Sequence, residues 1–381
     1  STSTTQVSFF VPKLIEISTM EKINAVITGV GGYVPNYILD NEELSTLVDT
    51  SDEWIMERIG VKTRHILKPE QGSGTSYLME RAVRQLIYKT GVDPDSIEAV
   101  YCATTTPDYH FPSTASLIIG RLGLKKTFGF DMEAACSGFL YALEVGAGMI
   151  CSGRYKRIVI VGGDQMSSMT NYQDRNTCPI FGDGAAAVMM EATTEELGLI
   201  DSYLLVDGEG YENLHMEAGG SAKMPTHSTV DERLHFVYQE GRAVFKHAVT
   251  KMSDAVETIA KRNGLSKENI NWLVPHQANI RIESAVARRI GLDESQVMIN
   301  IDHMANTSGG TLPLSLWEYE PQLKKGDKLI FTAFGAGFSW GASYLIWGYD
   351  GAEVAAKSPA QFYKEGEISR EEWYKLRANE E

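Results

Sequence analysis

Nowhere does this chain of 381 residues hold the roughly 18 consecutive apolar residues that a membrane-spanning helix requires. Nor does a basic segment followed by a long apolar run open it, so neither membrane insertion nor secretion is expected. Cysteine is scarce. Cys102, Cys136, Cys151 and Cys178 are the four present, and they form no CxxC or CxxH pair. A zinc site, any other metal centre of that type and a dithiol redox pair are therefore unsupported, and free thiols in a cytoplasmic protein are the expectation. Basic side chains are also outnumbered, 35 against 50 acidic ones, for a net charge of −15. That balance argues against nucleic-acid binding, but locally gathered arginines still leave room for an anionic ligand.

Beyond these absences there is a clear alternation of patterns. Strand-like runs fall at 23–30, 99–103, 127–132, 157–161, 272–274, 297–301 and 328–332. Helical spacing falls at 41–49, 52–59, 75–89, 113–122, 241–263 and 279–290, with a further helix after Thr311. Strands alternating with helices predict a largely parallel α/β sheet covered on both faces. The turns Phe181-Gly182-Asp183-Gly184 and Phe334-Gly335-Ala336-Gly337 echo one another, which with the repeated element order points to a duplicated architecture. We divide the chain into a polar leader (1–21), a first half (22–195), a second half (196–349) and a charged C-terminal appendage (350–381). Within the appendage, Ile368-Ser369-Arg370-Glu371-Glu372 reads as a short capped helix.

Three turns carry the chemistry. The run 127–132 reads as a buried strand and is followed by Glu133-Ala134-Ala135-Cys136-Ser137-Gly138, after which apolar residues recur at helical spacing. A thiol at a helix N-terminus meets unpaired N–H groups and the positive end of the helix dipole, which favour the nucleophilic thiolate. His276 follows the strand run ending at Pro275, and Asn306 follows the run 297–301, each just before a helix. Taken singly, His276 suits a structural hydrogen bonder and Asn306 a helix cap. Together the three supply a nucleophile, an imidazole and a neutral amide beyond the carboxyl ends of strands, as a thioester-handling site requires.

Six segments then carry a family resemblance: 49–55 (Asp-Thr-Ser-Asp-Glu-Trp-Ile), Ala134-Ala135-Cys136-Ser137-Gly138-Phe139, Phe181-Gly182-Asp183-Gly184-Ala185, Pro275-His276-Gln277-Ala278-Asn279-Ile280-Arg281, Asn306-Thr307-Ser308 and 334–341. With them the chain resembles the β-ketoacyl-acyl-carrier-protein synthases III, initiating condensing enzymes of type II fatty-acid synthesis in the thiolase superfamily. The likeness runs over about residues 22–349. It implies a thiolase-like five-layered αβαβα fold of two similar halves, a homodimer, and decarboxylative Claisen condensation without a cofactor, acyl-CoA and malonyl-acyl carrier protein being substrates.

The resemblance also implies residue roles. Cys136 takes the acyl group, while His276 and Asn306 stabilise the enolate formed as CO₂ leaves. The backbone N–H groups of Cys136 and Ala336 form the oxyanion hole, and Phe334 walls the decarboxylation site, with plain core packing as its rival. Trp54 and Arg175 clamp the adenine of CoA, Arg58 reaches its phosphates unless it is merely salt-bridged, and Asn279 contacts pantetheine. Phe111 reaches across the dimer to close the acyl pocket. Acyl carrier protein, which is acidic, docks on Arg281, Lys246 and Arg242, whereas Arg288 reads as solvated helix surface. One departure stands out: Gly335-Ala336-Gly337 replaces three glycines, and the added methyl narrows the space beside the acyl group.

Three rivals remain. A related condensing enzyme with a longer or specialised primer (ketone, quinolone or polyketide pathway) would keep the same triad. A silent scaffold would be expected to lack the cysteine. A non-decarboxylating thiolase would carry a second cysteine near the final glycine turn, where none lies.

Overall fold

The computed structural model describes residues 21–357; all but the last residue of the leader, and the helical segment expected at 368–372, lie outside them. The first strands are β1 (Asn24–Tyr33), β2 (Tyr37–Asp40), β3 (Thr63–Ile66), β4 (Ala99–Ala103), β5 (Phe128–Met132), β6 (Arg157–Gln165) and β7 (Asp183–Thr193). After them come β8 (Gly198–Val206), β9 (Leu214–Met216), β10 (Val237–Gln239), β11 (Trp272–Pro275), β12 (Lys328–Gly335) and β13 (Ser339–Ile346). The helices begin with α1 (Asn41–Leu47), α2 (Asp52–Arg58), α3 (Thr75–Thr90), α4 (Thr114–Leu122) and α5 (Gly138–Cys151). They continue with α6 (His227–Asp231), α7 (Gly241–Arg262), α8 (Ile280–Arg289), α9 (Ile301–Met304), α10 (Thr311–Tyr319) and α11 (Gly351–Ala355).

Two main sheets have matching topology. One is ordered β1-β7-β6-β4-β5 and the other β8-β13-β12-β11. In each, the first two neighbouring pairs are antiparallel and the next is parallel. The expected largely parallel sheet is therefore corrected to a mixed one. The tight turn between β12 and β13 leaves no crossover, so the chain returns beside itself in the antiparallel sense.

Helices α3 and α4 cover the outer face of the first sheet, α5 and α10 lie between the sheets, and α7 with α8 covers the second sheet. The result is five layers, αβαβα. Strand β6 illustrates why: Ile158 and Ile160 point into the central core, while Val159 and Val161 enter the outer core under α3, the period of two of a strand buried on both faces. The sequence of α5 (Gly-Phe-Leu-Tyr-Ala-Leu-Glu-Val-Gly-Ala-Gly-Met-Ile-Cys) is apolar almost all round, as a helix sandwiched between two sheets must be.

Two local expectations change. Residues 297–301 form no strand: only a Leu273–Val297 bridge occurs, and α9 begins at Ile301. The Gln277 side chain takes the place of a ladder, accepting from the Asn300 and Ile301 N–H groups and donating to the carbonyls of Met298 and Pro275. The strand at 127–132 is also not buried. It is the edge of its sheet, and Phe128 and Phe130 are 39% and 37% exposed. At the other end, α11 folds back, with the Gly351 N–H on the Leu323 carbonyl at 2.8 Å. No helix among the described residues is long and apolar enough to cross a membrane.

Candidate active site

Cys136 lies in a single 3-10 turn, Ala135–Ser137, that runs directly into α5. Ala135 adopts φ 47°, a left-handed conformation that costs an L-residue energy and recurs at functional turns. The Glu133 carboxylate holds it there by accepting the Ala135 N–H at 2.8 Å. From the second half, the turn after β12 presses against the cysteine. A Cβ on Gly335 would stand 2.7 Å from the Cys136 nitrogen, so only glycine permits this approach. Ser137 Oγ donates to the Ser339 carbonyl and Ser339 Oγ lies 3.0 Å from the carbonyls of Ala134 and Ala336. These bonds stitch the two turns together and leave Ala336 lining the cavity.

The surroundings of Cys136 oppose the thiolate expected from the helix N-terminus. Burial pushes the Cys136 thiol up to about 12, against a hydrogen bond to Ser308 that acts the other way. Desolvation here outweighs the favourable helix terminus. His276 is equally desolvated: burial lowers it to about 3, so the ring is neutral. Its Nδ1 meets Thr311 Oγ1 at 2.7 Å. The same hydroxyl lies 3.3 Å from the Ser308 carbonyl, and with Nδ1 so engaged Nε2 is the ring nitrogen left for a ligand, having no protein partner among the described residues.

Asn306 is fixed by the same logic. Its Oδ1 accepts the Ser308 N–H at 2.7 Å, so the side-chain NH₂ is the end left for a ligand. Its backbone is clamped between Ile180 and Gly182, and the flanking Ala305 and Ser308 have φ 58° and 53°. Asp164, at the end of β6, braces the next residues by accepting the Gly309 N–H at 2.9 Å.

One cavity of about 960 Å³ is lined by Cys136, His276, Asn306, Phe334 and Ala336 and extends past Asn279, Arg58 and Trp54. Arg242 lines it too. Other expected contacts look different in place. Arg175 and Arg58 sit over Trp54, 4.9 and 5.1 Å from the ring centre, and Arg175 pairs with Asp49 at 3.4 Å. A ring stacked between Trp54 and Arg175 needs about 7 Å, two van der Waals contacts, so the expected clamp is closed. The Asn279 side chain caps α8 through the Arg281 N–H and donates to the Arg58 carbonyl, leaving one amide hydrogen for a ligand. Phe111 is 85% exposed and does not line this cavity, whereas its neighbour His110 does. Arg281 shares a groove with Phe245 and with Arg288, the residue read as plain surface. Lys246 is exposed and lines neither depression.

Sequence reasoning misses Thr311, Gln277 and Asp164, which orient the site without entering it. The first two lie inside or beside the motifs, but nothing local marks a hydroxyl as the partner of a histidine 35 residues away. His303 is missed as well. Its Nδ1 meets Asp302 at 2.8 Å, and its Nε2 meets both Glu318 oxygens at 3.0 and 3.1 Å. Burial opposes its charge, but the two carboxylates prevail and raise it from 6.5 to about 10. A raised folded value means stability that is complete below pH 6.5 and lost as pH climbs through 10. Denaturant unfolding should therefore show wild type losing stability relative to His303→Gln across that window; parallel curves would overturn the pairing.

Comparison with known proteins agrees with this architecture. The model of 3-Oxoacyl-[acyl-carrier-protein (ACP)] synthase III matches residues 130–208, and that of its C-terminal part matches 260–347. A β-ketoacyl-[acyl-carrier-protein] synthase III of Phocaeicola vulgatus is 64% identical over 334 residues, 88% of this chain and 100% of the relative. The crystal structure of 3-oxoacyl-(acyl carrier protein) synthase III from Pseudomonas aeruginosa superposes with a TM-score of 0.78 at 36% identity, covering 85% of this chain and 98% of that one. The priming β-ketosynthase of the R1128 polyketide pathway gives a TM-score of 0.80 at 28% identity, covering 87% and 98%. With its thiolase-like layers, its two matched sheets and these relatives, the chain belongs to the β-ketoacyl-acyl-carrier-protein synthase III family of condensing acyltransferases.

Proposed function

We propose that this chain condenses a short acyl-CoA primer with malonyl-acyl carrier protein, giving 3-oxoacyl-acyl carrier protein, CoA and CO₂ at the start of fatty-acid synthesis. The observation that carries this reading is the polar bookkeeping around the cavity. Nδ1 of His276 and Oδ1 of Asn306 are already engaged, so both residues offer their remaining nitrogens to whatever lies beside Cys136.

Each step then follows. Cys136 sulfur bonds to the acyl carbon, the carbon–sulfur bond to CoA breaks, and CoA leaves as a thiol after taking up the proton that Cys136 shed. Malonyl thioester next enters. His276 Nε2–H and the Asn306 amide donate to its thioester oxygen, so the electron pair released with CO₂ rests as an enolate. Phe334 walls this region away from water. The enolate carbon attacks acyl-Cys136, and the tetrahedral oxyanion is held by the backbone N–H groups of Cys136 and Ala336. Collapse breaks the carbon–sulfur bond to Cys136, frees 3-oxoacyl-acyl carrier protein and expels the thiolate, which takes a proton from solvent to restore the thiol. No redox change occurs, so the sequence of steps calls for no cofactor.

Trp54, Arg175, Arg58 and Asn279 receive CoA once Arg175 swings off the indole. Losing the stack should cost affinity and spare chemistry: Trp54→Ala is expected to raise KM for acyl-CoA about tenfold with kcat unchanged. A loss confined to kcat would reject the assignment. Arg242, Lys246 and Arg281 form the basic doorway for acyl carrier protein, supported by Arg288 in the same groove. Exposed Phe111, Tyr109, Phe128 and Phe130 favour a homodimer in which Phe111 closes the partner's acyl pocket. The matched sheets support halves at 22–195 and 196–349, the first giving the nucleophile and the second His276 and Asn306. All four cysteines are free, which fits a reducing, cytoplasmic setting.

Intact-protein mass spectrometry after exposure to a graded series of acyl-CoAs tests the reading. Adducts from short donors on Cys136, discharged by malonyl-acyl carrier protein, are expected. Adducts only from long donors would move the assignment to the longer or specialised primers of related ketosynthases, and none from any donor would reject it.

A further inference from the structure

The second residue after Asn306 does more than complete a motif. Ser308 is 2% exposed and lies in the cavity wall with φ 53°. A serine in that conformation carries strain that glycine would avoid, so the turn keeps its hydroxyl at a cost. The conformation aims the two polar ends of Ser308 in different directions. Its N–H donates to Asn306 Oδ1 at 2.7 Å, and its Oγ lies 3.8 Å from Cys136 Sγ, with no other hydrogen bond among the described residues. Sulfur is large and polarisable, and this separation is within reach of a hydrogen bond in either direction. At rest the thiol donates to Ser308 Oγ. Once the thiol has lost its proton, the hydroxyl can rotate and donate to the sulfur, since Oγ has no competing partner to hold it.

We propose that Ser308 is a further catalytic residue of the condensation, its hydroxyl hydrogen-bonding the Cys136 thiolate during acyl transfer while its backbone N–H independently aims Asn306 for decarboxylation. This rests on the acyl-Cys136 reading above. The division is chemical. Acylation needs negative charge on sulfur in an apolar wall, where a charge-assisted hydrogen bond counts for more than in water. Decarboxylation needs the Asn306 amide, which a backbone donor holds whatever side chain stands at 308. Burial raises the Cys136 thiol and the Ser308 bond works against that rise, in keeping with the role. The covalent step stays balanced: the hydroxyl donates a hydrogen bond without giving up its proton, and the CoA thiolate takes up the proton that the cysteine released.

Ser308→Ala removes the hydroxyl and keeps the N–H, and Ser308→Gly does the same while relieving the backbone strain. For whichever variant folds, alkylation of Cys136 by iodoacetamide at a fixed pH of about 8 should slow about tenfold, and acylation by acetyl-CoA should slow by a similar factor, the effect of one unit in thiol acidity. Decarboxylation of malonyl thioester by the same variants should stay near wild type. An unchanged alkylation rate with unchanged acylation would overturn the proposal. So would decarboxylation falling as far as acylation, because Ser308 would then act only through Asn306. Failure of wild-type Cys136 to acylate at all would instead reject the condensing reading itself.

Discussion

Cys136→Ser is expected to fold normally, to yield no acyl adduct with any acyl-CoA, and to lose condensation activity by about 10⁴-fold or more, the scale on which removal of a covalent nucleophile is felt. The substitution is nearly isosteric, so the strained Ala135 turn and its bond to Glu133 remain. What changes is acidity. A serine hydroxyl needs a general base to attack a thioester, and none is at hand: burial drives His276 down to about 3, and its Nδ1 is tied to Thr311. The thiol is itself pushed up to about 12 by burial, but it starts far closer to ionisation than an alcohol and is intrinsically the stronger nucleophile. Mass spectrometry of the intact variant after exposure to acetyl-CoA decides the point. An adduct at wild-type level would remove Cys136 from its assigned role.

The second large effect belongs to Asn306→Asp. The carboxylate would still accept the Ser308 N–H through one oxygen, so the turn should hold its shape. The other oxygen, however, replaces a donor by an acceptor carrying charge, facing the place where the enolate oxygen develops. Losing one oxyanion donor typically costs about 2.7–4 kcal/mol of barrier, or 10²–10³ in rate, and repulsion adds to that. Release of CO₂ from malonyl-acyl carrier protein should therefore fall at least 10²-fold, while acylation of Cys136 stays within a fewfold of wild type. Equal loss in both half-reactions would mean that Asn306 serves the nucleophile rather than the enolate.

Much of this site is legible in the order of residues alone, because its chemistry is written locally. A small-residue turn between a strand pattern and a helix pattern marks Cys136, and turns of the same kind mark His276 and Asn306. An α/β fold with a duplicated order is legible from the alternation of periods and from the repeated Phe-Gly-x-Gly turns, each of which depends on near neighbours in sequence; the five layers came only with the family resemblance, and the strand directions only with the structure. Where local reading fails, a distant group has taken over. Residues 297–301 have the apolar pattern of a strand, yet the Gln277 side chain satisfies their backbone and the ladder never forms. The run 127–132 is apolar enough for burial but lies at a sheet edge, where Phe128 and Phe130 face outward.

Residue type, spacing and periodicity by themselves determined an α/β class with a duplicated order of elements, the three turns that carry chemistry and the acidic, cysteine-poor character of the chain. Only the tertiary structure decided the protonation and aim of those groups. Whether Cys136 rests as thiol or thiolate depends on how much water the second half strips from it, a sum that includes residues as distant in sequence as the turn after β12. Which end of Asn306 faces the cavity depends on the Ser308 N–H, and which nitrogen of His276 remains free depends on Thr311. Hydrogen-bond direction and desolvation are properties of packed surroundings, and no window along the chain contains them.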